Sequence, residues 1–93
     1  MYAVLAGMSA ALGVDDGSTT ELSVQRAIPG GAWAWLEWAL DDASLWNAWE
    51  SGSNGQIDAA YVTLDAIWLY RAGSSSPVTL YLDDLTYLHG PVV

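Results

Sequence analysis

Cysteine, lysine and phenylalanine are absent from this chain of 93 residues, and histidine occurs once, as His89. Without cysteine there is no disulfide stapling, no thiol catalysis and no cysteine-ligated metal. A single histidine supports neither a multi-histidine zinc site nor a triad with a second base, and its place beside Gly90-Pro91 reads as a solvated tail. Positive charge is almost as scarce: two arginines stand against eleven acidic residues, for a net charge of −9. Such a surface releases no counterions from nucleic-acid phosphates and gains nothing at an anionic membrane, so neither is expected as a partner. No apolar run reaches membrane-spanning length. The run from Tyr2 to Leu12 has no basic segment before it and no hydrophobic run after it, and it reads as part of the fold, not as a signal peptide.

What is present is apolar and aromatic. Hydrophobic residues make up 53% of the chain, too many for an acidic disordered tail, and the length suits one small domain over residues 1–93. Six Trp and five Tyr supply all the aromatic rings, so each carries a polar handle on an apolar body. Turn chemistry at Asp15-Asp16-Gly17-Ser18, Pro29-Gly30-Gly31, Ser51-Gly52-Ser53-Asn54-Gly55 and Gly73-Ser74-Ser75-Ser76-Pro77 separates five runs of roughly strand length, near residues 2–13, 20–27, 32–41, 59–71 and 78–88. Enrichment in Thr, Val, Tyr and Trp favours strands. The expectation is an all-β, antiparallel β-sandwich of about five strands.

The third run alternates with period two. Leu36, Trp38 and Leu40 share a face suited to a core, while Trp33, Trp35 and Glu37 share one suited to partial solvation. In the fourth run the apolar phase slips: Val62 and Leu64 alternate, then Ile67 and Leu69 continue one register later. A β-bulge at Asp65-Ala66 explains the slip and turns Trp68 and Tyr70 outward, with Arg71 close behind. The fifth run repeats the pattern, with Leu80 and Leu82, then Leu85 and Tyr87, on either side of Asp83-Asp84.

The series Trp33-x-x-Leu36-x-Trp38-x-Leu40, followed by the loop residues Trp46 and Trp49, the Ile67-Trp68-Leu69 triplet and the closing Leu80-Tyr81-Leu82-Asp83-Asp84-Leu85, resembles the C-terminal portion of jelly-roll carbohydrate-binding modules over about residues 20 to 88. The resemblance implies a jelly-roll-like sandwich that binds glycans without cleaving them. Trp33, Trp35, Trp68 and Tyr70 would form a stacking platform, Trp46 and Trp49 would close one end, and Glu37 would accept hydroxyl hydrogen bonds. It also implies a structural Ca²⁺ held in part by Asp83 and Asp84, although calcium takes six to eight oxygens and the opening segment that usually supplies the others has no counterpart here. The alternative for that pair is a solvated acidic turn.

A complete jelly roll has about eight strands, and only five runs are found. An incomplete sandwich exposes unpaired edges, so a homo-oligomer or a longer assembly is expected, with missing strands supplied by a neighbouring chain. The second functional reading follows from this. The chain would be a structural subunit of an extracellular filament or surface layer, with residues 1–13 as a peripheral or exchanged strand added to the next copy. Both readings place the protein outside the cell or at its surface.

Catalysis is not expected. Eleven acids guarantee chance pairs, and a five-run sheet offers little room for the walled cleft that glycosidase carboxylates need. Ser9, Ser23 and Ser44 lack a nucleophile-elbow context. Asp15-Asp16-Gly17-Ser18 lacks the alternating ligands of a calcium loop and reads as a plain turn.

Overall fold

A computed structural model of the chain describes residues 1–4, 6–17, 19–57, 59, 62–71, 79–83 and 85–86. Among the described residues seven strands follow one another: β1 (Tyr2–Ala3), β2 (Met8–Asp15), β3 (Thr20–Ser23), β4 (Arg26–Ile28), β5 (Trp46–Ala48), β6 (Thr63–Arg71) and β7 (Leu80–Tyr81), with one 3-10 turn at Ala43–Leu45 ahead of β5. All pairings between strands are antiparallel. They form a five-stranded sheet and a two-stranded sheet, the all-β, sandwich-like architecture that the alternation predicts.

The centre of the larger sheet is β2. Along one side it carries β6 over its whole length, and along the other it carries β4 on its first half and β3 on its second, with β5 beyond β3. The β2–β3 hairpin closes through the acidic turn. There the Asp15 carboxylate accepts the Gly17 amide at 2.8 Å, and the Asp16 amide donates to the Thr19 carbonyl. The second sequence run is thus two strands broken at Val24-Gln25. Ser23 Oγ accepts the Leu12 amide at 2.8 Å across that break, taking the place of a ladder carbonyl.

The first run is also divided. Gly7 has φ +97°, and β1 pairs with β7 in the smaller sheet while β2 crosses into the larger one. A continuous apolar run hides this corner, because only the backbone freedom of Gly7 marks it. Within the first run, both described strands, Tyr2–Ala3 and Met8–Gly13, have partners in the same chain, and β2 is flanked on both sides.

The fourth run shows the expected register slip but not the expected burial: Leu64 and Leu69 are 40% and 48% exposed, while Trp68 and Tyr70 are partly buried. Gly13 pairs with Ala66 and Val14 with Leu64, leaving Asp65 as the extra residue of a bulge. Leu64, Ile67 and Leu69 stand opposite Val14, Leu12 and Ala10 on one face, while Trp68 and Tyr70 stand opposite Ala11 and Ser9 on the other. The Gly73–Pro77 turn, Asp84, Tyr87 and His89 lie outside the described residues.

Between the sheets the core is small. Ala3, Met8, Ala10 and Ile28 form its cluster, with Met1, Leu36, Trp38 and Leu80 packed against it. Leu36 and Trp38 accordingly point inward. The third run does not join a ladder along its length, though its exposure alternates residue by residue from Trp33 to Leu40. Only its start is tied to β1: Tyr2 bridges Trp33, and Met1 and Ala34 exchange two backbone bonds of 2.7 and 2.8 Å. Its far side is held by side chains. Arg26 Nε donates to the Glu37 carbonyl at 2.9 Å and Trp46 Nε1 to the Ala39 carbonyl at 3.0 Å.

Candidate functional site

The phase of β1, β7 and the third run decides which rings face outward. Ala3, Leu80 and Leu36 point into the core, so their alternates Tyr2, Tyr81, Trp33 and Trp35 emerge on the outer face of the smaller sheet. Tyr2 stands in the middle, its ring centroid 5.5 Å from Trp33 and 5.9 Å from Tyr81. Interplanar angles of 46° and 54° make the row stepped instead of flat. Trp33, Trp35 and Tyr81 are 58%, 62% and 53% exposed. Such exposure costs hydrophobic stabilisation, and rows of exposed rings mark contact surfaces.

Glu37 continues the row on the same side. Trp35 Nε1 donates to Glu37 Oε2 at 3.1 Å, which fixes the carboxylate beside the indole. A carboxylate has about four acceptor positions, so capacity for hydroxyl donors remains.

A second aromatic cluster lies on the outer face of the larger sheet. Trp49 and Trp68 meet with centroids 4.7 Å apart, tilted by 56°, and Tyr70 follows two residues along β6. The loop after β5 delivers Trp49. Glu50 Oε1 accepts the Thr20 amide and Glu21 Oε1 accepts the Gly55 amide, each at 2.6 Å, fastening the loop to the hairpin from two sides. Gly55 has φ +74°, and a Cβ there would sit 3.4 Å from both the Ala48 amide and the Trp46 carbonyl, so the loop closes tightly over β5. Ser53 Oγ accepts the Trp49 and Glu50 amides and completes the turn.

The expected single platform is therefore two surfaces. Trp33, Trp35 and Glu37 lie in the third run beside the smaller sheet, and Trp49, Trp68 and Tyr70 lie on or against the larger one. Local alternation assigns a side chain to a face but not a strand to a sheet. Trp46, expected at one end of the platform, is buried at 4% exposure with its indole N–H on the Ala39 carbonyl. It opens β5 on the inner face and has no ring face to offer. Tyr2 and Tyr81 were not anticipated as members of the row. The signal was present in Leu80-Tyr81-Leu82, where a phenol between two leucines at period two must face away from them.

Of the calcium pair, Asp83 is exposed beside Trp33 and Trp35 at a shallow depression that Met1 and Ala34 also line, and Asp84 lies outside the described residues. Among the described residues, no three His, Asp or Glu side chains gather as a metal site would require. Asp42 precedes the 3-10 turn. The Ser44 hydroxyl and amide donate to it at 2.6 and 3.0 Å, capping the 3-10 turn, and these bonds hold its pKa below the ordinary 3.8.

The fold and its outer faces define a sandwich-like β protein with aromatic rings exposed on its strands and on the segments beside them. No family model, no curated protein and no solved structure matches this chain.

Proposed function

We propose that the protein is a non-catalytic glycan-binding module whose contact surface is the row Tyr81, Tyr2, Trp33 and Trp35, with Glu37 as a hydroxyl acceptor. The observation that carries this reading is the continuity of the row. Tyr81 and Tyr2 of the smaller sheet and Trp33, bridged to Tyr2, stand ring beside ring, and Trp35 follows two residues on, outside any strand. Three of the four are more than half exposed, and a carboxylate is fixed beside Trp35. Ring faces of this kind pack against the C–H face of a pyranose, and the acceptor beside them sets its orientation. The steps of 46° and 54° between rings favour a twisted glycan chain over a flat sheet of parallel chains. Negative charge on the protein does not oppose a neutral glycan, and polysaccharide targets fit an extracellular or surface location.

Titration with neutral oligosaccharides, followed by tryptophan fluorescence, tests the reading. Saturable quenching or a spectral shift that Trp33→Ala removes is the expected result. An absent response across a broad panel of polysaccharides would overturn it.

A further inference from the structure

Asn54-Gly55 is the one Asn-Gly pair in the sequence, and it closes the loop that delivers Trp49. Glycine after asparagine removes the β-carbon that otherwise shields the backbone nitrogen, so the asparagine side chain can approach that nitrogen closely. The chemistry open to such a pair is ring closure. The Gly55 nitrogen, having lost its proton to a solvent base, attacks Asn54 Cγ. The N–Cγ bond forms, the Cγ–Nδ2 bond breaks, and ammonia leaves with a proton from water. Water then opens the succinimide at either carbonyl, giving aspartate, or isoaspartate when the chain runs through Cβ and Cγ.

Access and activation are both in place. Asn54 is exposed, so water and base reach its side chain. Its Oδ1 accepts the Gln56 amide at 3.0 Å. The ring closed by that bond contains both Asn54 Cγ and the Gly55 nitrogen, which keeps the side chain folded over its own backbone. The donated N–H also stabilises negative charge that develops on Oδ1 during attack. Loss of the Gly55 proton is the step that the fold opposes. That N–H donates to Glu21 Oε1 at 2.6 Å, and Glu21 is fully buried with its other oxygen on the Thr19 hydroxyl. Removing the proton would set an anionic nitrogen against a carboxylate oxygen in a poorly hydrated place, and like charges that close disfavour ionisation.

We propose that Asn54 is a succinimide-forming modification site that the fold holds latent, with the Glu21 carboxylate as the lock on the Gly55 amide. While the loop is closed Asn54 persists, and once it opens the pair reacts. Isoaspartate then adds one atom to the backbone between residues 54 and 55. There is no slack for it, since a Cβ on Gly55 would already sit 3.4 Å from the Ala48 amide and the Trp46 carbonyl. The longer chain therefore breaks the Gly55–Glu21 bond, leaves the buried carboxylate short of a donor and frees the segment that holds Trp49 against Trp68. Conversion is a one-way mark of a molecule whose loop has opened. The site is apart from the aromatic row, so this inference does not depend on glycan binding.

The test incubates the full chain in mildly alkaline buffer, folded and in urea, and follows Asn54 by peptide mapping with isoaspartate detection. Asn47, which Ala48 follows, is the internal reference. Conversion at Asn54 should be at least about tenfold slower in the folded chain than in urea. Glu21→Gln keeps an acceptor oxygen but removes the charge, and it should speed the folded-state reaction at least about tenfold. A second measurement needs no variant. Base-catalysed hydrogen exchange passes through the same nitrogen anion, so the Gly55 amide should exchange at least about tenfold more slowly than that of Gln56. Equal conversion in the folded and unfolded chain, unchanged conversion in Glu21→Gln, slower conversion there (the carboxylate then acting as a base), or Gly55 exchange as fast as that of Gln56 would each overturn the proposal.

Discussion

Tyr2 and Trp33 meet across an antiparallel bridge, their ring centroids 5.5 Å apart and their planes 46° apart. The phenol is half-buried and the indole mostly exposed, so one ring supports the other. Trp33→Ala should lower oligosaccharide affinity at least about tenfold while changing stability by less than about 0.5 kcal/mol. Fluorescence titration and a denaturant melt on the same variant separate the two effects.

The Trp49–Trp68 contact on the opposite sheet yields a different expectation. A double-mutant cycle with Trp49→Ala and Trp68→Ala should give a coupling of about 0.5–1.5 kcal/mol in unfolding free energy. Neither single substitution should weaken a glycan held on the other face. Loss of glycan affinity in Trp49→Ala would move the site to the larger sheet.

Glu21 is fully buried, with one oxygen accepting the Gly55 amide and the other the Thr19 hydroxyl at 3.0 Å. Glu21→Ala leaves both donors without an acceptor and should cost about 2–4 kcal/mol in chemical denaturation. Glu21→Gln keeps an acceptor oxygen and should cost less.

Gly7 turns the chain between sheets with φ +97°, and no atom lies within 4 Å of a Cβ placed there. Gly7→Ala should therefore destabilise by about 1–2 kcal/mol through backbone strain alone, without a steric clash. Urea unfolding measures it, and an unchanged midpoint would contradict the corner assignment.

The Ser44 donors lower the pKa of Asp42 below 3.8, so the folded state favours its charged form. The resulting stabilisation is fully present above the unfolded value and is lost as pH falls through the folded value, in acid below about pH 3.8. Carboxyl-carbon NMR should place the Asp42 midpoint below 3.8, and Ser44→Ala should raise it.

The parts of this molecule legible in its sequence are those encoded by side-chain phase. The bulge at Asp65, the placing of Trp68 and Tyr70 on the face opposite Ile67 and Leu69, and the opposed faces of Leu36 and Trp35 follow from counting by twos, whereas the exposure of Leu64 and Leu69 does not. Sheet membership is not encoded that way. The break at Gly7 lies inside an unbroken apolar run, and Trp46 falls after a loop whose length hides the phase of β5. The division of the aromatic residues between two faces was therefore invisible to local patterning.

The corner at Gly7 also makes one stretch of chain a structural member of both layers. Separating them requires tearing β1 from β7 or stripping β2 from the neighbours on its two flanks. A mechanical load applied at the first residue would reach the smaller layer first and then peel toward the middle of the larger one, so the two layers should rupture in a fixed order.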